Sequence, residues 1–132
     1  MKTTKHKIIA TKHGDEISGK LVEIKLEDGK TEVYLSTILP GQFKGWHKHT
    51  RSTQNFTCIK GTVVVMVYDG NNKRYEKLLS DKEFETLSIP PGNAIGIRCI
   101  SSSEAFLICT PNPSYDPKDK QEKIDLVLPY DM

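Results

Sequence analysis

Gly41-Gln42-Phe43-Lys44-Gly45-Trp46-His47-Lys48-His49 decides how the rest of the chain is read. His47 and His49 are two residues apart, so on a strand both rings project from one face. Inside a barrel such a face is concave and partly dry, and two imidazoles there can bind a metal or move protons near neutral pH. Trp46 falls on the other face of a regular strand, where a core role is expected; stacking on a base or sugar is the alternative.

Working outward, the pattern is strand, turn, strand. Residues 21–26 precede Asp28-Gly29, a hairpin turn signal. Residues 31–38 are rich in β-branched and aromatic types and end at Pro40-Gly41. Residues 56–59 form another short strand before Lys60-Gly61. Residues 62–68 are almost continuously apolar, as a central strand buried on both faces would be. Asp69-Gly70-Asn71-Asn72 is a turn. Residues 74–79, 84–89, 95–100 and 105–109 complete the set, with Pro90-Pro91-Gly92 between two of them. No stretch carries a helical period. Short strands with regular turn signals predict an all-β sandwich or closed barrel.

The 132 residues suit one domain, taken as 1–132 with residues 111–132 as an extended C-terminal arm. The arm holds four prolines and the charge run 118–123. It closes on the apolar stretch around Ile124 and Leu126, placed as an edge strand or a crossing to a partner chain. The net charge of +2 comes from interleaved lysines and acids without a basic stripe, which argues against nucleic acid. No apolar run reaches the ~20 residues of a membrane helix, and no signal core follows the basic start, so a cytoplasmic protein is expected. Cys58, Cys99 and Cys109 each sit in apolar segments and are expected reduced and buried. His6 and His13, near the N-terminus, are expected to be solvated.

The wider spacing carries a resemblance. Gly41, His47, His49, Gln54 and Gly61 match the first cupin motif, G-x5-H-x-H-x3,4-E-x6-G, except that Gln54 replaces the glutamate. The second motif is half present: Pro90-Pro91-Gly92 supplies its turn, but Ile95 and Cys99 stand where its histidine and asparagine belong. The chain is thus similar to the cupins, which implies a jelly-roll barrel, the double-stranded β-helix. A metal cupin needs three histidines and a carboxylate. With two imidazoles and an amide, no metal and no other cofactor is expected here.

Within the cupins, Gly45-Trp46-His47-Lys48-His49, Gln54, Cys58 and Gly61 resemble the thymidine-diphosphate-sugar 3,4-ketoisomerases of the RmlC-like superfamily. Lys44 to His47 and Ile89 to Gly92 resemble, more loosely, the thymidine-diphosphate-4-dehydrorhamnose 3,5-epimerases. In that second family the lysine that steadies the enolate falls at Gln54, and the tyrosine acid falls near Ile108. The resemblance implies a metal-independent isomerase or epimerase acting on a nucleotide-linked 4-keto-6-deoxy sugar in deoxysugar or polysaccharide biosynthesis, and a homodimer. His47 is then the base and His49 a proton shuttle or enolate-stabilising donor. Gln54 donates to a substrate oxygen and Lys44 meets the diphosphate. Tyr34, Arg98 and Tyr115 are further candidate substrate contacts. Two other readings stand beside this one: a metal-dependent cupin using His47 and His49, and a sugar-binding or nucleotide-sugar-binding module without catalysis.

Overall fold

In a computed structural model, residues 3, 5–25, 32–71, 73–113 and 123–125 are described. They form eleven strands: β1 Lys7–His13, β2 Glu16–Lys25, β3 Glu32–Ile38, β4 Phe43–His49, β5 Thr53–Lys60, β6 Thr62–Tyr68, β7 Arg74–Ser80, β8 Thr86–Ile89, β9 Ala94–Cys99, β10 Ala105–Asn112 and β11 Lys123–Asp125. One sheet runs β1-β2-β3-β10-β5-β8, the other β11-β4-β9-β6-β7. Neighbouring strands are antiparallel. This is the all-β architecture that the strand-and-turn pattern predicts, arranged as the jelly roll that the cupin resemblance implies, with the chain passing repeatedly from one sheet to the other.

Alternation along each strand builds the core between the sheets. β6 turns Val63 and Val65 inward, β9 turns Ile95, Ile97 and Cys99, β5 turns Phe56 and Cys58, and β10 turns Ala105, Leu107 and Cys109. Fully burying a side chain such as Leu107 contributes roughly 1.5–3 kcal/mol. Phe43, Trp46, Met66 and Ala94 form a second buried cluster on the opposite face of the second sheet. That cluster explains why residues 62–68 are apolar on both faces: β6 lies between β7 and β9 and packs on each side. Trp46 takes the core role expected of it.

Several turns follow their sequence signals. Asp69 Oδ1 accepts hydrogen bonds from the backbone N–H of Asn71 (2.8 Å) and Lys73 (3.3 Å), the side-chain-to-backbone turn that aspartate favours. The three cysteines are buried and free. Other expectations change. β1 has no counterpart in the sequence reading, because its exposed and half-buried residues mix Lys, Thr and His with Ile. His13, expected to be solvated, is half-buried, with its ring centre 5.2 Å from that of Phe43 in an edge-on arrangement. The strand read from residue 84 begins only at Thr86, since Phe84 has φ +53° and is exposed. Asp28-Gly29 and most of the C-terminal arm lie outside the described residues. The arm's Lys123–Asp125 adds an edge strand to β4, pairing Lys123 with His49 and Asp125 with His47.

Candidate active site

Between the sheets lies a cavity of about 480 Å³, a volume suited to a small molecule. Lys44, His47 and His49 on β4 and Ile95 and Ile97 on β9 form one wall. Thr11, Glu23, Tyr34, Ser36, Gln54, Phe56 and Cys109 come from the facing sheet, with Ser52 just before β5. The cavity is therefore polar around the histidines and apolar along Ile95, Ile97 and Phe56.

The wall on β4 depends on a bulge. Lys44 pairs with Ile97 and His47 with Ile95, so three steps along β4 match two along β9. The extra residue lets Lys44 share a face with His47 and His49, and puts Phe43 and Trp46 together on the other. Gly45, within the bulge, has φ +148°, a conformation few side chains adopt. A Cβ there would also stand 2.9 Å from Gly96 Cα and 3.0 Å from the Ile95 carbonyl oxygen.

Hydrogen bonds hold the polar side chains in place. Lys44 Nζ crosses to the other sheet, donating to Ser36 Oγ at 2.7 Å and to the Lys20 carbonyl at 3.2 Å. The Gln54 side chain is buried; its Nε2 donates to Ser52 Oγ at 2.7 Å, and its Oε1 accepts from Cys109 Sγ at 3.1 Å. Burial pushes the Cys109 thiol up to about 12, partly offset by a backbone hydrogen bond from Asn55. The Tyr34 hydroxyl donates to Glu32 Oε2 at 2.6 Å. Burial, then that bond, then the charges of Glu32 and Glu23 keep the Tyr34 phenol protonated well above its ordinary range.

Of the residues singled out in the sequence, His47, His49, Lys44, Gln54 and Tyr34 meet in this cavity. Arg98 does not. Ile95, Ile97 and Cys99 take the inward positions of β9, which turns Arg98 to the outer face. There its guanidinium lies 5.2 Å from the Phe43 ring centre and donates to the Gly41 carbonyl at 2.9 Å. Tyr115 lies outside the described residues. Glu23, Ser36, Ser52 and Cys109 join the site without having been read from the sequence. No motif marks them; only the inward alternation of Leu21 with Glu23 and Leu107 with Cys109 hints at their direction.

The donor set fits a metal poorly. Ile95 occupies the cavity wall where a metal-binding cupin has its third imidazole, and the Gln54 amide is already engaged by Ser52 and Cys109. Among the described residues no three His, Cys, Asp or Glu side chains are grouped as metal ligands would be. Also among them, no helix is long and apolar enough to cross a membrane.

Comparison with known structures places the barrel. The capsular polysaccharide assembling protein CapF from Staphylococcus aureus superposes with a TM-score of 0.79 at 22% identity, over 96% of this chain and 34% of its own. The chain thus spans about a third of CapF's length. A dTDP sugar isomerase from Desulfovibrio desulfuricans G20 superposes with a TM-score of 0.68 at 20% identity, over 93% of this chain and 81% of its own. An oxalate oxidase superposes with a TM-score of 0.62 at 21% identity, over 74% of this chain and 53% of its own. At these identities the likeness is one of fold, and the fold is the cupin barrel. No curated protein sequence matches the chain. The family model described as the polysaccharide biosynthesis C-terminal domain matches residues 13–122. With most of the barrel inside that match, the chain belongs to the polysaccharide biosynthesis C-terminal domain family of cupins.

Proposed function

We propose that this protein is a metal-independent isomerase acting on a nucleotide-linked 4-keto-6-deoxy sugar. One observation carries the reading: His47 and His49 share a cavity wall opposite the buried amide of Gln54. The family's link to polysaccharide biosynthesis and the fold shared with a dTDP sugar isomerase support it.

The chemistry starts at the carbon next to the sugar ketone. His47 takes the proton from that carbon, and the C–H electron pair moves into the carbonyl to form an enolate. Imidazole suits this step because it titrates near neutral pH. A Gln54 N–H stabilises the enolate oxygen, and Lys44, near Ser36, meets the diphosphate. Transfer of the C3 hydroxyl proton to the C4 oxygen, together with return of the abstracted proton through His49 to what was the carbonyl carbon, moves the ketone to C3, leaves a hydroxyl at C4 and gives a 3,4-ketoisomer. Return to the original carbon from the opposite side would give an epimer. Ketoisomerisation is favoured over 3,5-epimerisation because the epimerases' tyrosine acid corresponds to the region of Ile108. Its neighbours Leu107 and Cys109 take the inward positions of β10. The apolar wall of Ile95, Ile97 and Phe56 would receive the 6-methyl group.

Incubation with thymidine-diphosphate-4-keto-6-deoxyglucose, followed by carbon NMR of the product, tests the proposal. A ketone at C3 supports it. Tight binding with unchanged sugar would instead establish a binding module. The departure that favours that second reading is the loss of Arg98 from the cavity, which leaves Lys44 as the described cation on its wall.

A further inference from the structure

The geometry points to Cys109 as the positioning residue that decides which end of the Gln54 amide faces the ligand. The inference rests on the reading of Gln54 as a hydrogen-bond donor to a substrate oxygen. Cys109 on β10 and Gln54 on β5 belong to adjacent strands. Cys109 is directly opposite Phe56 and Gln54 opposite Pro111, so Cys109 and Gln54 are diagonal neighbours. Both side chains line the cavity, and both are buried.

An amide side chain offers one acceptor oxygen and two N–H donors, and its two ends are nearly the same shape. Its partners therefore set its orientation. Here Cys109 Sγ donates to Oε1 at 3.1 Å, and Nε2 donates to Ser52 Oγ at 2.7 Å. The two partners are not equivalent. A hydroxyl both donates and accepts, so Ser52 would serve either orientation of the amide. The buried thiol keeps its proton at any working pH, and acts as a donor that calls for the oxygen end. With Cys109 present, Oε1 is turned toward β10 and the second Nε2 hydrogen is left for the ligand. Without it, the amide can turn over and present its oxygen instead, which would repel a developing enolate.

The test compares Cys109→Ala and Cys109→Ser in the full chain by two measurements. The first is the nitrogen–proton NMR signal of the Gln54 side-chain NH₂, assigned through a Gln54→Glu control that lacks it, and read without substrate. The second is turnover of thymidine-diphosphate-4-keto-6-deoxyglucose. Cys109→Ala should shift or broaden the Gln54 pair. It should lower kcat by roughly tenfold to a hundredfold, as misplacement of one group does, with KM changed less. Cys109→Ser keeps a donor, but its hydroxyl also accepts, so in both readouts it should lie between the alanine variant and the natural protein. An unchanged Gln54 signal in Cys109→Ala, or a serine variant no better than the alanine variant, overturns the inference. If the natural protein turns over no substrate, the functional reading fails; the NMR comparison still decides what Cys109 does to Gln54. Should the alanine variant not fold, Cys109→Val replaces it, since it removes the donor and fills the space.

Discussion

Lys44 and His47 stand three residues apart on β4, yet both line the same cavity wall. Regular alternation would send them to opposite faces. The register shift against β9 absorbs one residue between them and turns a strand edge into a site. Gly45 makes that shift possible, through a backbone conformation that side chains rarely adopt and a close approach to Gly96.

Gly45→Ala should therefore cost both stability and function. A Cβ at position 45 meets Gly96 Cα at 2.9 Å and the Phe43 ring at 3.0 Å, with φ at +148°. The expected loss is about 1–3 kcal/mol, read as a lower urea midpoint. Gly14→Ala is a useful contrast: its φ is also positive, +61°, but no atom lies within 4 Å of the added Cβ. It should cost less and leave turnover intact. Equal losses in the two variants would show that crowding at the bulge is unimportant.

Metal affinity should appear when the missing ligands are restored. Ile95 is already on the cavity wall, and Gln54 holds the position of the motif's carboxylate. The Ile95→His, Gln54→Glu double variant supplies three imidazoles and a carboxylate, a set that transition metals favour. Titration calorimetry should find one bound zinc ion per chain in the double variant and markedly weaker binding in the natural protein. Equal affinity in the two would mean that positions 54 and 95 do not converge on His47 and His49.

Alkaline pH should destabilise the protein partly through Cys109. An unfolded cysteine loses its proton near pH 8.5, whereas buried Cys109 keeps its own up to about 12. Between those values the native state binds more protons than the unfolded state, so stability falls as pH rises. This one group contributes at most about 1.4 kcal/mol per pH unit. Urea unfolding at several pH values from 8 to 11 should give a shallower decline for Cys109→Ser than for the natural protein. Parallel declines would show that the thiol titrates alike in both states.

Much of this was legible in the sequence because it rests on periodicity and spacing. The apolar run of β6, the turn at Asp69-Gly70 and the His47–His49 pair need only neighbours along the chain. Arg98, expected as a substrate contact, turns to the outer face because Ile95, Ile97 and Cys99 take the inward positions around it, a direction that the alternation in the sequence already carries. β1 was missed because an edge strand with exposed residues carries little hydrophobic pattern. Glu23, Ser52 and Cys109 reach the cavity through pairings between distant strands, which leave no local signal. The same holds for the bulge that brings Lys44 beside His47: Gly45 is visible in the sequence, but the register of β4 against β9 is not.

Proton exchange into the sugar tests the central claim most directly. Thymidine-diphosphate-4-keto-6-deoxyglucose is incubated with the protein in deuterated water, and the C3 proton is followed by NMR, with His47→Asn as the comparison. The account predicts loss of the C3 signal with the natural protein, slowed by roughly 10²–10⁴ in His47→Asn, and a product carrying its ketone at C3. Retention of the C3 proton with a correctly folded natural protein, or exchange that continues undiminished in His47→Asn, would contradict it.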